Sequence, residues 1–164
     1  MSVSTITETT QYLTFKLDEE IFALDVAKVR EILEYSTVTK VPRTPDFMRG
    51  VINLRGSVVP VIDLRLKFGM TATEQTINTC IIVAEVGMDD EVILLGALAD
   101  SVQEVNEMEP AQIEAAPHIG TKLSTDFIKG MGKQGSNFVM ILDIDKVFSG
   151  DELSIVQGLD SAAV

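Results

Sequence analysis

The sequence predicts a mainly β protein made of two similar barrels that pack along a shared seam. Residues 51–54 and 57–63 are rich in Val and Ile and flank Arg55-Gly56, a pattern typical of a strand, a tight turn and a strand. Other segments alternate apolar and polar residues, and the hairpin itself recurs later in the chain. Because each copy is too short to bury its strands alone, we expect a pseudo-symmetric pair of barrels.

The repeat is visible at two offsets. Residues 47–68 align without a gap with residues 127–148 at an offset of 80, and residues 29–32 align with residues 102–105 at an offset of 73. The seven extra residues fall in the loop at 110–117. We interpret the pattern as two copies of one small β unit, and chance similarity among Val-rich strands is the alternative.

The repeat also predicts how the chain is divided. We expect a flexible polar tail at residues 1–10, one domain over 11–150, and a C-terminal helix and tail at 151–164. Within the domain, the first barrel is expected mainly in 11–76 and the second mainly in 77–148, with strand exchange between them left open. The N-terminus lacks the basic start and apolar core of a secretory signal, and no apolar run approaches the ~20 residues of a membrane span, which indicates a cytoplasmic protein.

The N-terminal elements follow from alternation and from helix breakers. Residues 11–17 and 21–25 predict a strand and its return. Residues 26–33 have apolar side chains at helical spacing but are rich in β-branched residues, which favours one helical turn passing into a strand. Two prolines then interrupt regular structure and leave room for a single helical turn at 46–49.

The later elements follow from the same signals. Residues 77–86 and 92–101 predict a long hairpin, and residues 138–143 predict the last strong strand. Asp151 can begin a short helix that ends at Leu159, because its carboxylate accepts hydrogen bonds from the free amides of the first turn.

The charge distribution disfavours general nucleic-acid binding and separates two parts of the chain. The net charge is −12, whereas nucleic-acid binding depends on neutralising phosphates with Lys and Arg. No basic residue lies between Lys67 and Lys122, where there are ten acidic residues, while residues 40–67 carry six basic residues against two acidic ones. Such asymmetry can orient a protein partner, and solvated faces that maintain solubility are the alternative.

The sequence offers no legible catalytic or metal-binding group. His118, the only histidine, has no nucleophile arrangement nearby, and one His with one Cys cannot supply a zinc site. Cys80 lies in an apolar run, which favours a buried structural thiol. Residues 130–135 match G-x-G-x-x-G, but a strand follows instead of a helix, so we interpret them as a loose hairpin turn equivalent to Arg55-Gly56.

We therefore expect no cofactor, no metal and no enzymatic activity. Two alternatives stay open from the residues alone. A small enzyme or nucleotide binder would need His118 or the Gly130 loop in a pocket, and an oligonucleotide-binding barrel would need a basic face with exposed aromatic side chains. The chain has two Tyr and no Trp, which makes the second alternative poor.

Two motifs make the chain resemble a known family. The blocks G-V-I-N-L-R-G at 50–56 and V-P-V-I-D-L-R at 59–65, in this order and distance, are similar to those of the bacterial chemotaxis coupling proteins, the CheW family. The similarity extends from about Gln11 to about Phe148. It implies two pseudo-symmetric five-stranded SH3-like β-barrels with short helical turns.

The resemblance also implies a function. Members of this family are adaptors without enzymatic activity that join the cytoplasmic hairpin tips of chemoreceptors to the regulatory domain of the histidine kinase CheA. The implied partners are therefore the kinase and the receptors, with weak self-association in array rings, no nucleic acid and no direct membrane insertion. An adaptor of a non-swimming chemosensory pathway is the alternative.

Three contact regions follow from the resemblance, position by position. The receptor-binding groove between the barrels is expected to be lined by Leu13, Val26, Val29, Ile32, Val102 and Val105. The kinase contact is expected to centre on Val38, Arg43, Gly50 and Arg55. A second ring contact is expected at Ile113, Pro117 and Ile119. Glu114, beside that contact, is acidic where many family members carry a basic side chain.

Overall fold

A computed structural model describes residues 9–88, 91–114 and 127–147. The strands are β1 Thr10–Leu17, β2 Glu20–Asp25, β3 Val29–Glu34, β4 Met48–Leu54, β5 Ser57–Asp63, β6 Cys80–Met88, β7 Glu91–Ala99, β8 Ser101–Met108, β9 Ile113–Glu114, β10 Ile128–Gln134 and β11 Asn137–Leu142. The helices are α1 Leu64–Lys67 and α2 Ile144–Val147, and 3-10 turns span Val26–Lys28 and Pro110–Gln112. Within these residues, no helix is long and apolar enough to cross a membrane.

The strands form two sheets, and each sheet mixes strands from both copies of the repeat. The six-stranded sheet has the order β8-β1-β2-β11-β10-β9, and the five-stranded sheet has the order β3-β6-β7-β5-β4. The β1–β2 hairpin of the first copy therefore pairs with strands of the second, and the β6–β7 hairpin of the second copy pairs with strands of the first. Strands that share a sheet come from both sides of residue 76, which is the exchange that the sequence left open.

The repeat is preserved in the register of the hydrogen bonds. Met48 pairs with Ile62 in the first copy, and Ile128 pairs with Leu142 in the second, with a register shift after the first pair in both hairpins. The Asp63 amide donates to the Phe47 carbonyl at 2.6 Å in the first copy, and the equivalent Asp143 amide donates to the Phe127 carbonyl at 2.7 Å in the second. The sequence offset of 80 is therefore a structural equivalence.

The parallel pairs between copies obey the same symmetry. Val61 on β5 pairs with Gly96 on β7, and Ile141 on β11 pairs with Ala23 on β2. The offset of 80 relates Val61 to Ile141, and the offset of 73 relates Ala23 to Gly96. A pseudo-two-fold operation thus exchanges the two sheets.

Each sheet curls around its own interior, and both share a third cluster. In the five-stranded sheet, Leu33 from one edge strand and Ile52 from the other pack in the same cluster, which closes the sheet into a barrel. In the six-stranded sheet, Met108 and Ile113 do the same from its two edges. The largest cluster, which we call the seam cluster, lies between the barrels. Its buried members are Leu13, Phe15, Leu17, Phe22, Leu24, Met48, Ile62, Leu64, Phe68, Ile82, Ala84, Val86, Leu95, Ala97, Ala99, Leu142, Ile144 and Val147.

Most of the predicted elements are present where the sequence placed them. The mainly β class, the hairpin around Arg55-Gly56 and the helical turn that passes into β3 are confirmed. The helical turn expected at 46–49 is wrong, because β4 begins at Met48 and its register continues from there. The loose turn expected at 130–135 is also wrong for most of its length, because β10 runs to Gln134 and only Gly135 lies in the turn. The predicted C-terminal helix lies outside the described residues.

Gly50 allows two segments to approach closely. Its φ is 147°, and a Cβ added there would overlap the carbonyl oxygen of Thr39 and lie 2.8 Å from Cγ1 of Val38. The Thr39–Val51 bridge holds the incoming segment against β4 at this point. Gly50 therefore has a packing role inside the first copy.

We predict that Gly50→Ala lowers the free energy of unfolding by more than about 2 kcal/mol, because it adds both backbone strain and steric overlap. Gly56→Ala is the matched control, since Gly56 also has a positive φ but nothing lies within 4 Å of an added Cβ. The control is expected to cost about 1 kcal/mol. Urea denaturation of both variants measures the difference, and equal losses would contradict the packing role of Gly50.

Candidate partner-binding surfaces

A β-bulge places Val29 and Ile32 on the same face of β3. Val29 lies opposite Ala84, Ile32 lies opposite Ile82, and the register shifts between Val29 and Glu31. Residues directly opposite one another share a face, and both β6 partners belong to the seam cluster. Without the extra residue, side chains three positions apart would point to opposite faces of the strand.

The same device is present on β8. Val102 lies opposite Phe15, Val105 lies opposite Leu13, and the register shifts between these pairs. Both β1 partners are members of the seam cluster. The edge strand of each sheet thus presents two apolar side chains towards the seam.

These side chains form a partly exposed apolar strip. Ile32 is 43% exposed and Val105 is 51% exposed. Val26, Val29 and Val102 are half-buried and pack against the seam cluster. We call these five residues the seam strip.

Leu13 does not contribute surface to the strip. Its side chain is only 4% exposed and belongs to the seam cluster itself. Its position in the strand next to β8 explains this, because Val105 and the rest of β8 cover it from the edge. Of the six residues expected to line a groove, five are therefore accessible at least in part.

Two ion pairs involve residues that directly precede the edge strands β3 and β8. Lys28 Nζ contacts Asp145 Oδ2 at 3.0 Å, and the other oxygen of Asp145 accepts a hydrogen bond from the Gly87 amide at 2.8 Å. In the other half, Asp100 Oδ2 contacts Arg65 Nη1 at 3.0 Å and accepts a hydrogen bond from the amide at the β1–β2 turn. Asp145 thus joins the end of β6 to the turn before β3. Asp100, directly before β8, is joined in the same way to the β1–β2 turn.

The two ion pairs are only partly equivalent by the repeat. Asp145 on α2 corresponds to Arg65 on α1 at the offset of 80, but their partners do not correspond, because Lys28 aligns with Ser101 and Asp100 aligns with Ala27. The pair at Arg65 is the more buried, with side chains 12% and 23% exposed, against 38% and 37% for the Lys28 pair. In both halves an ion pair thus links the short helix to the segment just before an edge strand, but through different positions.

Arg55 lies at the tip of the β4–β5 hairpin and reaches across the barrel. Its φ of 51° and the Gly56 φ of 89° fit a type I′ turn, and Asn53 Oδ1 accepts the Gly56 amide at 2.7 Å. The guanidinium makes two hydrogen bonds to Glu31 on β3, at 2.6 and 3.1 Å, while 74% of the Arg55 side chain stays exposed. The pair joins the two edge strands of the five-stranded sheet.

The ion pair shifts the pKa of both Glu31 and Arg55. The hydrogen bond from Arg55 lowers the pKa of Glu31, and the hydrogen bond to Glu31 raises the pKa of Arg55. Because the folded-state pKa of Glu31 is lower than its ordinary value, the pair stabilises the fold above the ordinary carboxyl range. That contribution is lost as the pH falls through the folded-state pKa.

The other expected kinase-contact residues lie along β4 and the segment before it. Val38 is half-buried beside Gly50, which is itself buried. Arg43 is exposed and has a φ of 62°, a backbone conformation that side-chain-bearing residues adopt at a cost of about 1 kcal/mol or more. Arg43 and Arg55 are therefore the accessible members of this set.

The second ring contact is described only at its first residue. Ile113 is 9% exposed and packs in the interior of the six-stranded sheet. Its side chain therefore offers almost no surface, and the neighbouring Glu114 is instead exposed in an ion pair with Lys133 at 2.8 Å. Pro117 and Ile119 lie outside the described residues.

The structural importance of Asp63 was not predicted from the sequence. Its side chain is fully buried, and its two oxygens accept hydrogen bonds from Arg65 N, Thr73 N, Thr73 Oγ1 and Arg49 Nη1. The carboxylate begins α1 and fixes the loop that follows it. The signal was present in the V-P-V-I-D-L-R block, where an acid follows a buried strand and could cap a helix.

The described residues contain no cluster of three or more His, Cys, Asp or Glu that could hold a metal ion. Cys80 is half-buried, and its thiol donates to the Asn78 carbonyl at 3.3 Å. His118 lies outside the described residues. The described surface instead has the apolar seam strip with charged side chains beside it, an arrangement that suits contact with another macromolecule.

Two barrels joined by exchanged hairpins, with an apolar strip at their seam, define a β-rich interaction domain. Residues 11–152 match the model of the CheW-like domain, and the chain belongs to that family. It is 36% identical over 149 residues to the chemotaxis protein CheW of Klebsiella aerogenes, covering 91% of this chain and 87% of that protein. It is 34% identical over 152 residues to the chemotaxis protein CheW of Thermotoga maritima, covering 91% and 93%.

A solved structure has the same fold. The crystal structure of the scaffolding protein TtCheW from Thermoanaerobacter tengcongensis superposes with a TM-score of 0.76 at 31% identity, over 87% of this chain and 94% of that one. The two pseudo-symmetric SH3-like barrels expected from the sequence are thereby confirmed.

We predict that the Glu31 carboxylate titrates below the usual glutamate range and that Arg55→Ala returns it towards that range. The cause is the loss of two hydrogen bonds from the guanidinium. Carbon-detected NMR of the side-chain carboxyl over a pH series measures both titrations. An unchanged titration in Arg55→Ala would show that the pair does not persist in solution.

Proposed function

We propose that this protein is a non-enzymatic scaffold adaptor that couples the signalling tips of chemoreceptors to the histidine kinase CheA. The adaptor acts in the cytoplasm, where membrane-associated receptor arrays recruit it, and it gives the receptors control over kinase activity. The observation that carries the proposal is the seam strip, an apolar surface that two edge strands present at the boundary of the barrels. A receptor tip is a hairpin of two helices, and an apolar strip accepts the apolar face of a helix.

A separate surface is proposed for the kinase. The accessible residues Arg43 and Arg55 lie before and after β4, which is an edge strand of the five-stranded sheet. Guanidinium groups bind carboxylates with two parallel hydrogen bonds and also donate to single carbonyl oxygens, which suits a protein contact at a sheet edge. The adaptor would then hold receptor and kinase at once, because the seam strip and β4 do not overlap.

The test of the proposal is assembly from purified parts. The protein is mixed with a CheA kinase and receptor signalling fragments held on vesicles, and sedimentation measures the ternary complex. We expect all three to sediment together and kinase activity to depend on the adaptor. Sedimentation of kinase and receptors at the same level without the adaptor would contradict the proposal.

We predict that Ile32→Lys and Val105→Lys each weaken receptor binding at least ~tenfold, equivalent to ~1.4 kcal/mol, while the fold is retained. Both side chains are about half exposed, so a lysine can reach water in the free protein but would be desolvated under a docked helix. Val29 is a poorer test because it packs against the seam cluster. Val92→Lys is the matched control, since Val92 is 63% exposed but lies outside the strip.

Isothermal titration with receptor fragments gives the affinities, and circular dichroism confirms the fold. If the Val92→Lys control loses as much affinity as the two strip variants, added charge alone explains the loss. If neither strip variant loses affinity, the receptor binds elsewhere.

We predict that Arg55→Ala keeps its fold and receptor affinity but weakens kinase binding at least ~fivefold, or ~1 kcal/mol. An exposed turn side chain typically contributes less than ~0.5 kcal/mol to stability. Glu31→Gln separates two explanations, because it removes the ion-pair partner but leaves the guanidinium in place. Retention of kinase binding in Glu31→Gln is the expected result, and equal loss in both variants would show that the pair acts through the position of β3.

A further inference from the structure

The seam strip has nearly the same apolar residues when viewed from either end. Val29 and Ile32 on β3 correspond to Val102 and Val105 on β8, and each pair owes its common face to an equivalent bulge. The seam cluster beneath them follows the same pseudo-two-fold symmetry. Leu13, which lies opposite Val105, is equivalent to Ile82, which lies opposite Ile32. The apolar contacts alone would therefore accept a helical hairpin in two opposite orientations.

The charged rims break this symmetry. Lys28 and Arg30 on the β3 side correspond to Ser101 and Gln103 on the β8 side, so one rim carries two cations where the other carries none. The acidic residue that follows Arg30, Glu31, forms an ion pair with Arg55. Its counterpart on β8, Glu104, is exposed. At these equivalent positions the β3 rim thus carries two more cations than the β8 rim, and these cations are paired with Asp145 and Glu85 of neighbouring elements.

The cations of the β3 rim are positioned and accessible. Arg30 uses Nε to contact Glu85 at 3.0 Å and stays 54% exposed, so its outer nitrogens can donate to another carboxylate. Lys28 is held by Asp145 and is 38% exposed. Both contacts are to residues of the second copy, which fixes the cations relative to the seam.

We infer that Lys28 and Arg30 are specificity-determining residues that select one of the two orientations of a bound helical hairpin. The preferred orientation places the more acidic end of the hairpin beside β3, because opposite charges attract and the reversed arrangement brings that end to Glu104. The inference rests on the proposed function, since it takes the receptor tip as the occupant of the strip. It adds the direction in which that tip lies.

The orientation can be measured with spin labels at two equivalent positions. Glu34 and Glu107 are exposed, lie on β3 and β8, and correspond at the offset of 73. In a Cys80→Ser background, Glu34→Cys or Glu107→Cys carries a nitroxide, and an isotope-labelled receptor hairpin fragment is observed by NMR. For the otherwise native chain, we expect the two labels to broaden opposite ends of the bound hairpin.

Two charge variants test the selection. Lys28→Ser with Arg30→Gln makes the rims alike, and we expect the orientation ratio to fall from above ~10:1 to near 1:1, so that each label broadens both ends. Adding Ser101→Lys and Gln103→Arg to that variant reverses the rims and should exchange the two patterns. Lys133→Gln is the control, because Lys133 lies on β10 in an exposed ion pair with Glu114, outside the seam strip. It should leave the native broadening pattern unchanged.

Each outcome separates the inference from the function it rests on. If the native chain does not bind the fragment at all, the proposed function fails. If all variants bind in the native orientation, or if the symmetrical variant loses binding altogether while its melting temperature is native, the inference alone fails. Exchange of the patterns in the reversed variant, with affinity within ~threefold of native, supports it.

Discussion

Neither half of the chain can complete a barrel from its own strands, and the seam cluster is the interaction that makes this arrangement stable. The β1–β2 hairpin and the β6–β7 hairpin each pair in parallel with a strand of the other copy. Their apolar faces meet in the seam, where Phe15, Phe22 and Leu95 are buried. Burial of such side chains contributes about 1.5–3 kcal/mol each, so the contact between the barrels contributes substantially to the stability of the fold.

The sequence predicted what depends on local pattern and could not predict what depends on pairing. The hairpin at Arg55-Gly56 and the repeat were legible, because turn residues and apolar periodicity are local signals. The exchange of hairpins was not, because β1 has the same alternation whichever strand it joins. The bulges were hidden for the same reason, although they decide that Ile32 and Val105 face the seam. The burial of Leu13 follows from its inner place in the sheet, which only the strand order reveals.

The sequence also showed where the basic residues lie, but only the structure shows which of them already have partners. The sequence showed a basic stretch at residues 40–67, but three of its arginines are occupied within the fold. Arg49 is held by Asp63, Arg55 by Glu31 and Arg65 by Asp100. What remains for a partner depends on exposure, so Arg55, with 74% of its side chain accessible, can serve both a structural and an external contact. Arg65, at 12%, serves the structure.

The exchange of hairpins also determines how the protein can form as it is synthesised. All five strands of one sheet lie between residues 29 and 99, so that sheet can close once β7 has left the ribosome. The β1–β2 hairpin is made before the other described strands, yet its partners β8 and β11 follow it, and β11 ends at Leu142. The first described hairpin to be made is therefore the last to gain all its strand partners, and one of its edges stays unpaired until β11 has been synthesised.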